Sequence, residues 1–135
     1  MSELTIKYRQ VDSIDLEALR LFISENGWAE RVADRERFRA MVIRANRAVV
    51  ALEGTRIVGF ARALCDGVSN GYISMVVVAE DVRRTGIGRR LVEEIMQDDS
   101  EGKITWVLRA GRDSTGFWRQ LGFKNSEIAM ERVRK

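Results

Sequence analysis

The sequence predicts a mixed α/β (α+β) domain in which a mostly antiparallel sheet is flanked by helices. Apolar residues follow helical spacing in the first third of the chain and shorter, β-branched runs from Ala48 onward. Past the middle, a strand, a helix and a second strand follow one another over 72–108, which is the order of a parallel β-α-β unit. At 135 residues, we expect one domain spanning 1–135.

Strand 5–9 and two capped helices are predicted before the first hairpin. The helix predicted at 13–25 has most of its apolar residues on one side, and either Asp12 or Ser13 is expected to cap it. Asn26-Gly27 is expected to end it. Asp34 is predicted to cap a second helix, because the apolar residues that follow recur at helical spacing through Ala45.

The rest of the chain alternates short apolar runs with turn residues. Glu53-Gly54 predicts a hairpin turn, and 66–71 contains a second group of turn residues. The predicted elements are strands at 48–52, 56–64 and 72–78, a helix at 86–97, a strand at 104–108, a helix at 114–121 and a closing strand at 128–134.

Composition narrows the class of protein. A hydrophobic content of 45% with 32% charged residues is typical of a soluble globular domain. No apolar run reaches the roughly 20 residues that cross a bilayer, and Met1-Ser2-Glu3-Leu4-Thr5 does not resemble a signal peptide. The single cysteine, Cys65, and the absence of histidine argue against a disulfide or a metal site. We therefore expect a cytoplasmic protein without a membrane or metal partner.

The charge pattern does not require nucleic acid as a partner. The net charge is only +3, because 23 basic residues are offset by 20 acidic ones. The two signs alternate along the chain, as in Asp34-Arg35-Glu36-Arg37, which is typical of a solvated surface. A phosphate-bearing ligand would account for a local basic patch, so we expect no nucleic-acid partner.

The most informative segment runs from the strand at 72–78 into Arg83-Arg84-Thr85-Gly86-Ile87-Gly88. Two glycines allow an anion to approach the backbone, and the first turn of the following helix has N–H groups without intrahelical partners. The helix dipole and the arginines also favour negative charge at this point. The segment therefore predicts a site for a phosphate or pyrophosphate.

The spacing selects among three phosphate-binding designs. A P-loop needs Lys and Ser/Thr directly after the second glycine, where this chain has Arg89-Arg90. A dinucleotide fingerprint needs a third glycine, where this chain has Leu91. Arg83, Gly86 and Gly88 match the remaining spacing, Arg/Gln-x-x-Gly-x-Gly/Ala after a strand. This pattern resembles the acetyl-CoA pyrophosphate loop of the GNAT superfamily of N-acetyltransferases.

Two further segments carry the same resemblance. The segment 116–123 is similar to the family's aromatic helix, which ends in Leu-Gly-Phe. The segment 58–67 resembles a Val-Gly-Phe-Ala-Arg strand followed by an Asp-Gly turn in one branch of small GNAT enzymes. Three matches in the family's order make coincidence improbable, although an isolated Gly-x-Gly is usually only a turn.

The resemblance implies how acetyl-CoA would be bound as co-substrate. The parallel strands would lie in the centre of the sheet and splay apart to admit the pantetheine arm, whose amides would bond the strand edge as an added strand does. Backbone donors of the loop would hold the pyrophosphate. The cofactor-binding residues implied are Val76, Val77, Val78, Arg83, Arg84, Thr85, Gly86, Ile87, Gly88, Arg89, Ser114 and Trp118.

The catalytic residues are less well defined. Many family members have a tyrosine that acts as the acid where this chain has Trp118, and indole cannot deliver a proton. Tyr72 or water is the alternative acid. Asp66 in the Asp-Gly turn is the candidate base, weighed against the alternative of an ordinary turn residue. Arg62 is expected to meet an acidic part of the substrate or to pair with Asp66, and Trp28 to line the acceptor pocket. The other carboxylates weighed as bases are Glu25, Glu80 and Asp113.

The resemblance implies an N-acetyltransferase that moves an acetyl group from acetyl-CoA to a primary amine, and we expect the amine to belong to a small molecule and to attack directly. We expect the 10–35 region to form the acceptor site, together with a partner subunit if the protein is a homodimer. The alternatives are an enzyme that acetylates a protein or peptide and a regulatory module that binds acyl-CoA without catalysis. A toxin that acetylates tRNA is a weaker option, suggested only by the pI near 9.4.

Overall fold

The computed structural model describes residues 5–97, 99–111 and 113–135, without the side chain of Ser13. Segment 1–4, used in the prediction about a signal peptide, and the side chain of Ser13 as a helix cap therefore lie outside the described residues. No helix in the described ranges is long and apolar enough to cross a bilayer. The elements are β1 (Ile6–Gln10), α1 (Leu16–Ile23), α2 (Arg35–Arg44), β2 (Arg47–Glu53), β3 (Arg56–Cys65), β4 (Asn70–Val78), α3 (Ile87–Ile95), β5 (Thr105–Leu108) and α4 (Thr115–Gln120).

The five strands form a single sheet in chain order. Strands β1 to β4 are antiparallel, and β5 is parallel to β4, with α3 as the connection between them. The predicted mixed, mostly antiparallel sheet and its β-α-β unit are confirmed. The parallel pair, however, lies at the edge of the sheet and not in its centre, because no further strand follows β5 in the described part of the chain.

The closing strand predicted at 128–134 is wrong. Residues 124–135 form no ladder pairing, and Ile128 and Met130 are 90% and 97% exposed. Alternating apolar and polar residues satisfy the local condition for a strand, but a strand also needs a partner edge. The neighbouring β5 has only four residues, and the tail contacts the residue after it through an ion pair between Arg109 and Glu131, 3.0 Å.

Helices cover the two faces of the sheet. Gly59 of β3 lies under α3, since a Cβ placed there would be 2.9 Å from Leu91 Cδ1 and 3.2 Å from Ile87 Cγ2. Arg62, three residues further along the strand, points to the opposite face, where its Nε donates to the carbonyl of Met41 in α2. We call these the α3 face and the α1/α2 face.

The first helix begins three residues later than predicted. Asp15 has an extended backbone, and its carboxylate accepts from the N–H groups of Glu17 (2.9 Å) and Ala18 (3.3 Å). Asp12 and Ser13 lie instead in a short 3₁₀ turn. The prediction of Asp12 as the cap is therefore wrong, because Asp15 directly precedes the helix and its carboxylate accepts from the first free N–H groups.

The other helix boundaries follow the local signals. After α1, Asn26 and Gly27 leave helical dihedral angles, with a φ of 97° at Gly27, so that the turn there is confirmed. Asp34 caps α2 as predicted, with its carboxylate accepting from the N–H of Arg37 at 3.0 Å. At the end of α3, Nη1 of Arg47 donates to the carbonyl of Ile95 at 2.8 Å, which places a cation at the negative end of the helix.

Candidate functional site

The loop predicted to bind phosphate joins the end of β4 to the first turn of α3. Arg84 and Gly86 have φ values of 66° and 91°. No side chain of the described residues caps the helix, and Arg90 N–H donates to the carbonyl of Gly86 at 3.1 Å. The N–H groups of Gly88 and Arg89 precede that first helical bond and have no intrahelical partner. The loop thus presents backbone donors to an anion, as a phosphate-binding nest does.

Arginine side chains add positive charge to these donors. Arg83, Arg84 and Arg89 are exposed. Arg89 forms an ion pair with Glu93 one turn along α3, at 3.1 Å, and Nε of Arg83 donates to the carbonyl of Val78 at 3.2 Å. No carboxylate of the described residues pairs with Arg83 or Arg84. The donors and the charges together fit a diphosphate.

The side chains of Thr85 and Ile87 stabilise the conformation of the loop. The hydroxyl of Thr85 donates to the carbonyl of Val82 at 2.5 Å, and Ile87 is buried in the core beneath α3. Their side chains therefore shape the loop, and the predicted contact of these two residues with a ligand would be made by the backbone.

The aromatic helix α4 packs against the loop. A Cβ at Gly88 would be 3.1 Å from Cε1 of Phe117, so the missing side chain allows this contact. Trp118 is 8% exposed and makes edge-to-face contacts with Phe117 (4.9 Å) and Phe123 (5.3 Å). Trp118 thus has a packing role, and its contact with a cofactor stays a prediction. Sequence reasoning missed Phe117, although the residue directly precedes the position compared with the family.

Ser114 stands at the start of α4 and is half-buried. Its hydroxyl donates to the carbonyl of Gly111 at 2.7 Å, which fixes the turn into the helix. A role for Ser114 in binding a cofactor remains a prediction.

Strands β4 and β5 are paired over a short stretch only, and we call the point where this pairing ends the separation of β4 and β5. Their parallel register ends at Ile73 and Leu108, whereas β4 continues to Val78. Between the residues that pair with β3, Ile73 and Met75, Ser74 is an extra residue and forms a β-bulge. A bulge bends its strand, and this one directly follows the last residue of β4 that pairs with β5. Beyond Ile73, β4 has no strand neighbour on this side among the described residues, and the splay implied by the resemblance stays a prediction.

The backbone of β4 beyond the bulge has one open edge. The N–H of Ala79 donates to the carbonyl of Val58 in β3 at 2.8 Å. Since alternate residues direct their N–H and C=O groups to opposite edges, Val77 also faces β3, while Val76 and Val78 face the gap. The backbone of Val77 is thus used in the ladder, and the prediction that it binds a cofactor is corrected to Val76 and Val78.

Asp66 acts as the organising residue of its turn. Its carboxylate accepts from the N–H groups of Val68 (2.8 Å), Ser69 (2.7 Å) and Asn70 (3.0 Å), and from the hydroxyl of Ser69 (2.6 Å). These hydrogen bonds, led by that of the Ser69 side chain, hold the pKa of Asp66 well below its ordinary value. Such a carboxylate is a weak base, so the geometry argues against the predicted catalytic role and favours the turn role.

We predict that Asp66→Asn changes stability but not catalysis. A depressed pKa means that the ionised carboxylate stabilises the fold above the ordinary value of about 3.9, and that this stabilisation is lost as the pH falls below it. Wild type should therefore lose more stability than the variant between roughly pH 4 and pH 2 in urea unfolding. A general base contributes about 10²–10⁴-fold, so a loss of that size in kcat/KM, with an altered pH profile, would restore Asp66 as the base.

Glu25 and Glu80 line a different region. They border a cleft of about 680 Å³ between α1 and the end of β4. Ala79, which also lines the cleft, is five residues beyond Ser74, or roughly 17 Å along a strand. These two carboxylates thus lie near the phosphate loop and far from the point where the strands begin to separate. Asp113, the remaining candidate, is exposed in the turn before α4.

Arg62 and Tyr72 lie together on the α1/α2 face beside the separation of β4 and β5. Tyr72 pairs with Leu64, which is two residues from Arg62 and therefore on the same face. Arg62 is 9% exposed and does not pair with Asp66, so that predicted option is wrong. Trp28 is half-buried against the core at the end of the turn after α1, and its role in an acceptor pocket stays a prediction.

The chain is similar to known acetyltransferases. An uncharacterized N-acetyltransferase, ycf52, of Porphyra purpurea is 27% identical over 82% of this chain and 66% of its own length. Serotonin N-acetyltransferase 2 of Oryza sativa subsp. japonica, described as chloroplastic, is 34% identical over 85% of this chain and 59% of its own length. The chain therefore spans less than two thirds of the length of these relatives.

A solved structure shows the same fold. The structure of an aminoglycoside N-acetyltransferase in complex with CoA has a TM-score of 0.73 and 14% identity, and the similarity covers 97% of this chain and 95% of the other. The family model described as the acetyltransferase (GNAT) domain matches residues 9–134, which is nearly the whole chain. The protein belongs to the GNAT acetyltransferase family.

Proposed function

We propose that the protein transfers an acetyl group from acetyl-CoA to a primary amine of a small molecule. One observation supports this proposal most strongly. Two stretches of backbone with unused hydrogen-bonding groups, one in β4 and one at the start of α3, follow one another. The free N–H groups at the start of α3 lie directly after the free edge of β4. A ligand with a diphosphate and an amide-bearing arm could therefore bind the start of α3 with the diphosphate and the edge of β4 with the amides. Family membership and the CoA-bound structural relative support the same ligand.

Different residues would bind different parts of the ligand. The diphosphate would be held by the N–H groups of Gly88 and Arg89 and by the charge of Arg84. The amides of the pantetheine arm would bond Val76 and Val78 as an added strand does. Arg83 occupies the carbonyl of Val78 and would have to release it, so this side chain is expected to turn toward the phosphates when the ligand binds.

The chemistry needs few protein groups. The amine nitrogen attacks the thioester carbon, the C–N bond forms, the C–S bond breaks with its electron pair on sulfur, and the nitrogen loses a proton to water. A thiolate with a pKa of about 8.5 leaves at pH 7 at a cost of only about 2 kcal/mol. Tyr72 carries a phenolic hydroxyl beside the separation of the strands, and we propose it as the proton donor to the thiolate. Cys65 is buried, and direct attack needs no acyl-enzyme.

The absence of an evident base makes the non-catalytic acyl-CoA module the second candidate. Asp66 is engaged in its turn, and Trp118 is engaged in packing. This module would bind acetyl-CoA without turning it over. The two candidates therefore differ in one measurable property.

Release of free thiol from acetyl-CoA, followed over a panel of primary amines, tests the proposal. We expect release that depends on both the amine and the protein, with a matching N-acetylated product by mass spectrometry. Binding of acetyl-CoA without release on any amine or peptide would favour the module. A folded sample that does not bind acetyl-CoA would end both proposals.

A further inference from the structure

Four arginines gather on the α1/α2 face next to the separation of β4 and β5. This arginine cluster consists of Arg31, Arg62, Arg109 and Arg134, with Tyr72 beside it. Burial lowers the pKa of Arg31, and the positive charges of Arg134 and Arg109 lower it further. Burial likewise lowers the pKa of Arg62, and the charge of Arg31 adds to that effect. Arg31, Arg109 and Arg134 are exposed, whereas Arg62 is buried on the α1/α2 face, and the effects of these charges on one another indicate that they lie near each other.

The cluster lacks acidic partners that other arginines have. Within the described ranges, five arginines of the helices and of the β2–β3 hairpin form ion pairs with glutamate or aspartate: Arg20, Arg35, Arg56, Arg89 and Arg90. In the cluster, Arg109 alone forms such a pair with a described carboxylate, that of Glu131, and both of those side chains are about half exposed. No described carboxylate pairs with Arg31, Arg62 or Arg134. The positive charge of the cluster is thus largely uncompensated.

The burial of Arg62 makes the cluster energetically unfavourable when no anion is bound. Its side chain is 9% exposed, and its Nε donates to the carbonyl of Met41 at 3.1 Å. A buried cation is unfavourable unless it is paired, and arginine cannot escape by losing its proton. No fully buried side-chain nitrogen of the described residues lacks a partner, so the two Nη atoms of Arg62, which make no hydrogen bond to the described residues, retain some contact with solvent. The planar fork of a guanidinium fits a carboxylate or phosphate.

We propose that the acceptor amine carries an anionic group, a carboxylate or a phosphate, which Arg31 and Arg62 bind on the α1/α2 face. This inference rests on the proposed function and names the class of its substrate. With the anion held there, the amine lies toward the gap between β4 and β5. The nearby positive charges lower the pKa of a bound ammonium group, which favours the neutral nucleophile. The positive charges of the cluster therefore favour loss of the proton from the amine, which is part of the role of a general base.

Matched pairs of amines test the proposal. Tyrosine and tyramine differ only by a carboxylate, and phosphoethanolamine and ethanolamine differ only by a phosphate. We expect kcat/KM to be at least about 10-fold higher for the anionic member of one pair, since a charge-assisted hydrogen bond contributes roughly 1.5–3 kcal/mol. The pair that shows the preference identifies the anion. Equal rates, or a faster neutral member, would overturn the inference while leaving acetyl transfer intact.

Variants separate binding of the anion from general effects of charge. Arg31→Gln should lower kcat/KM for the anionic amine about 10-fold or more and by a smaller factor for the neutral amine, which loses only the effect of the charge on its ammonium pKa. Arg39→Gln is the matched control, because Arg39 is exposed on α2 and forms no ion pair among the described residues. An equal loss on both amines, or an equal effect of Arg39→Gln, would contradict the proposal.

A binding measurement decides the question even if no amine in the panel is acetylated. Inorganic phosphate, titrated into the CoA-saturated wild type, should shift the side-chain Nε–H resonances of Arg31 and Arg62 in a saturable manner. Arg31→Gln should weaken that saturation, and Arg62→Lys, which keeps the charge but loses the planar fork, should weaken it as well. Resonances that do not move would refute the anion site, whereas a failure of CoA itself to bind would refute the proposed function.

Discussion

Replacing Gly86 by glutamate is expected to lower the affinity for acetyl-CoA at least about 100-fold, because like charges placed together across a binding site cost several kcal/mol. Gly86 is exposed, and a Cβ built on it meets no heavy atom within 4 Å. The new side chain therefore disturbs no packing, and its carboxylate stands next to the backbone donors that would hold the diphosphate. Isothermal titration of acetyl-CoA into both proteins measures the loss.

Two controls isolate the charge from the backbone strain. Gly86 has a φ of 91°, so every L side chain at this position is strained, and Gly86→Ala measures that cost alone. Gly102→Glu introduces the same charge at another open position with positive φ, 66°, away from the loop. We expect full binding by Gly102→Glu and a small loss for Gly86→Ala. Normal affinity of Gly86→Glu would remove the loop from the binding site.

Gly71→Ala is expected to destabilise the protein by about 3 kcal/mol, since overpacking a rigid core contact typically costs 1–3 kcal/mol or more. A Cβ at Gly71 would lie 2.4 Å from two ring carbons of Trp106 in the neighbouring strand β5. The ring cannot easily move, because its Nε1 donates to the carboxylate of Asp99 at 3.1 Å and the guanidinium of Arg47 lies over it at 5.6 Å. Urea unfolding measures the loss.

The matched control is Gly116→Ala, at a position in α4 where a Cβ meets no heavy atom within 4 Å. Alanine in place of glycine within a helix is worth up to about 1 kcal/mol, so this variant should be unchanged or slightly more stable. Shrinking the ring in the double variant Gly71→Ala/Trp106→Val should recover part of the loss, through the coupling expected for residues in contact. A loss below about 0.5 kcal/mol for Gly71→Ala would show that the two strands adjust freely at their paired end.

The elements that the sequence predicts well are those with local causes. Asp34 caps α2 through a hydrogen bond to a residue three positions away, and Gly27 ends its turn through its own φ. The phosphate loop belongs to the same class, because its spacing after a strand specifies both the glycine conformation and the start of α3. These features depend on residues that are close together in the chain, so the sequence alone is enough to predict them.

The features that were mispredicted or missed depend on tertiary neighbours. Alternation predicted a closing strand, but Ile128 remains exposed because local pattern does not supply a partner edge. The sequence gives no reason to distinguish Val77 from its neighbours, and only the hydrogen bond from Ala79 to Val58 shows which residues of β4 direct their backbone groups to β3. The arginine cluster joins residues as far apart as Arg31 and Arg134, and no spacing in the sequence relates them. The sequence also leaves Asp66 open as a base, because it does not show the hydrogen bonds that the carboxylate accepts within its turn.

A crystal structure of the protein with CoA tests the central claim most directly, namely that the start of α3 and the free edge of β4 form one binding surface. The account predicts diphosphate oxygens within hydrogen-bonding distance of the N–H groups of Gly88 and Arg89, with the pantetheine amides along Val76 and Val78. CoA bound elsewhere, with the loop closed on its own side chains, would contradict the account.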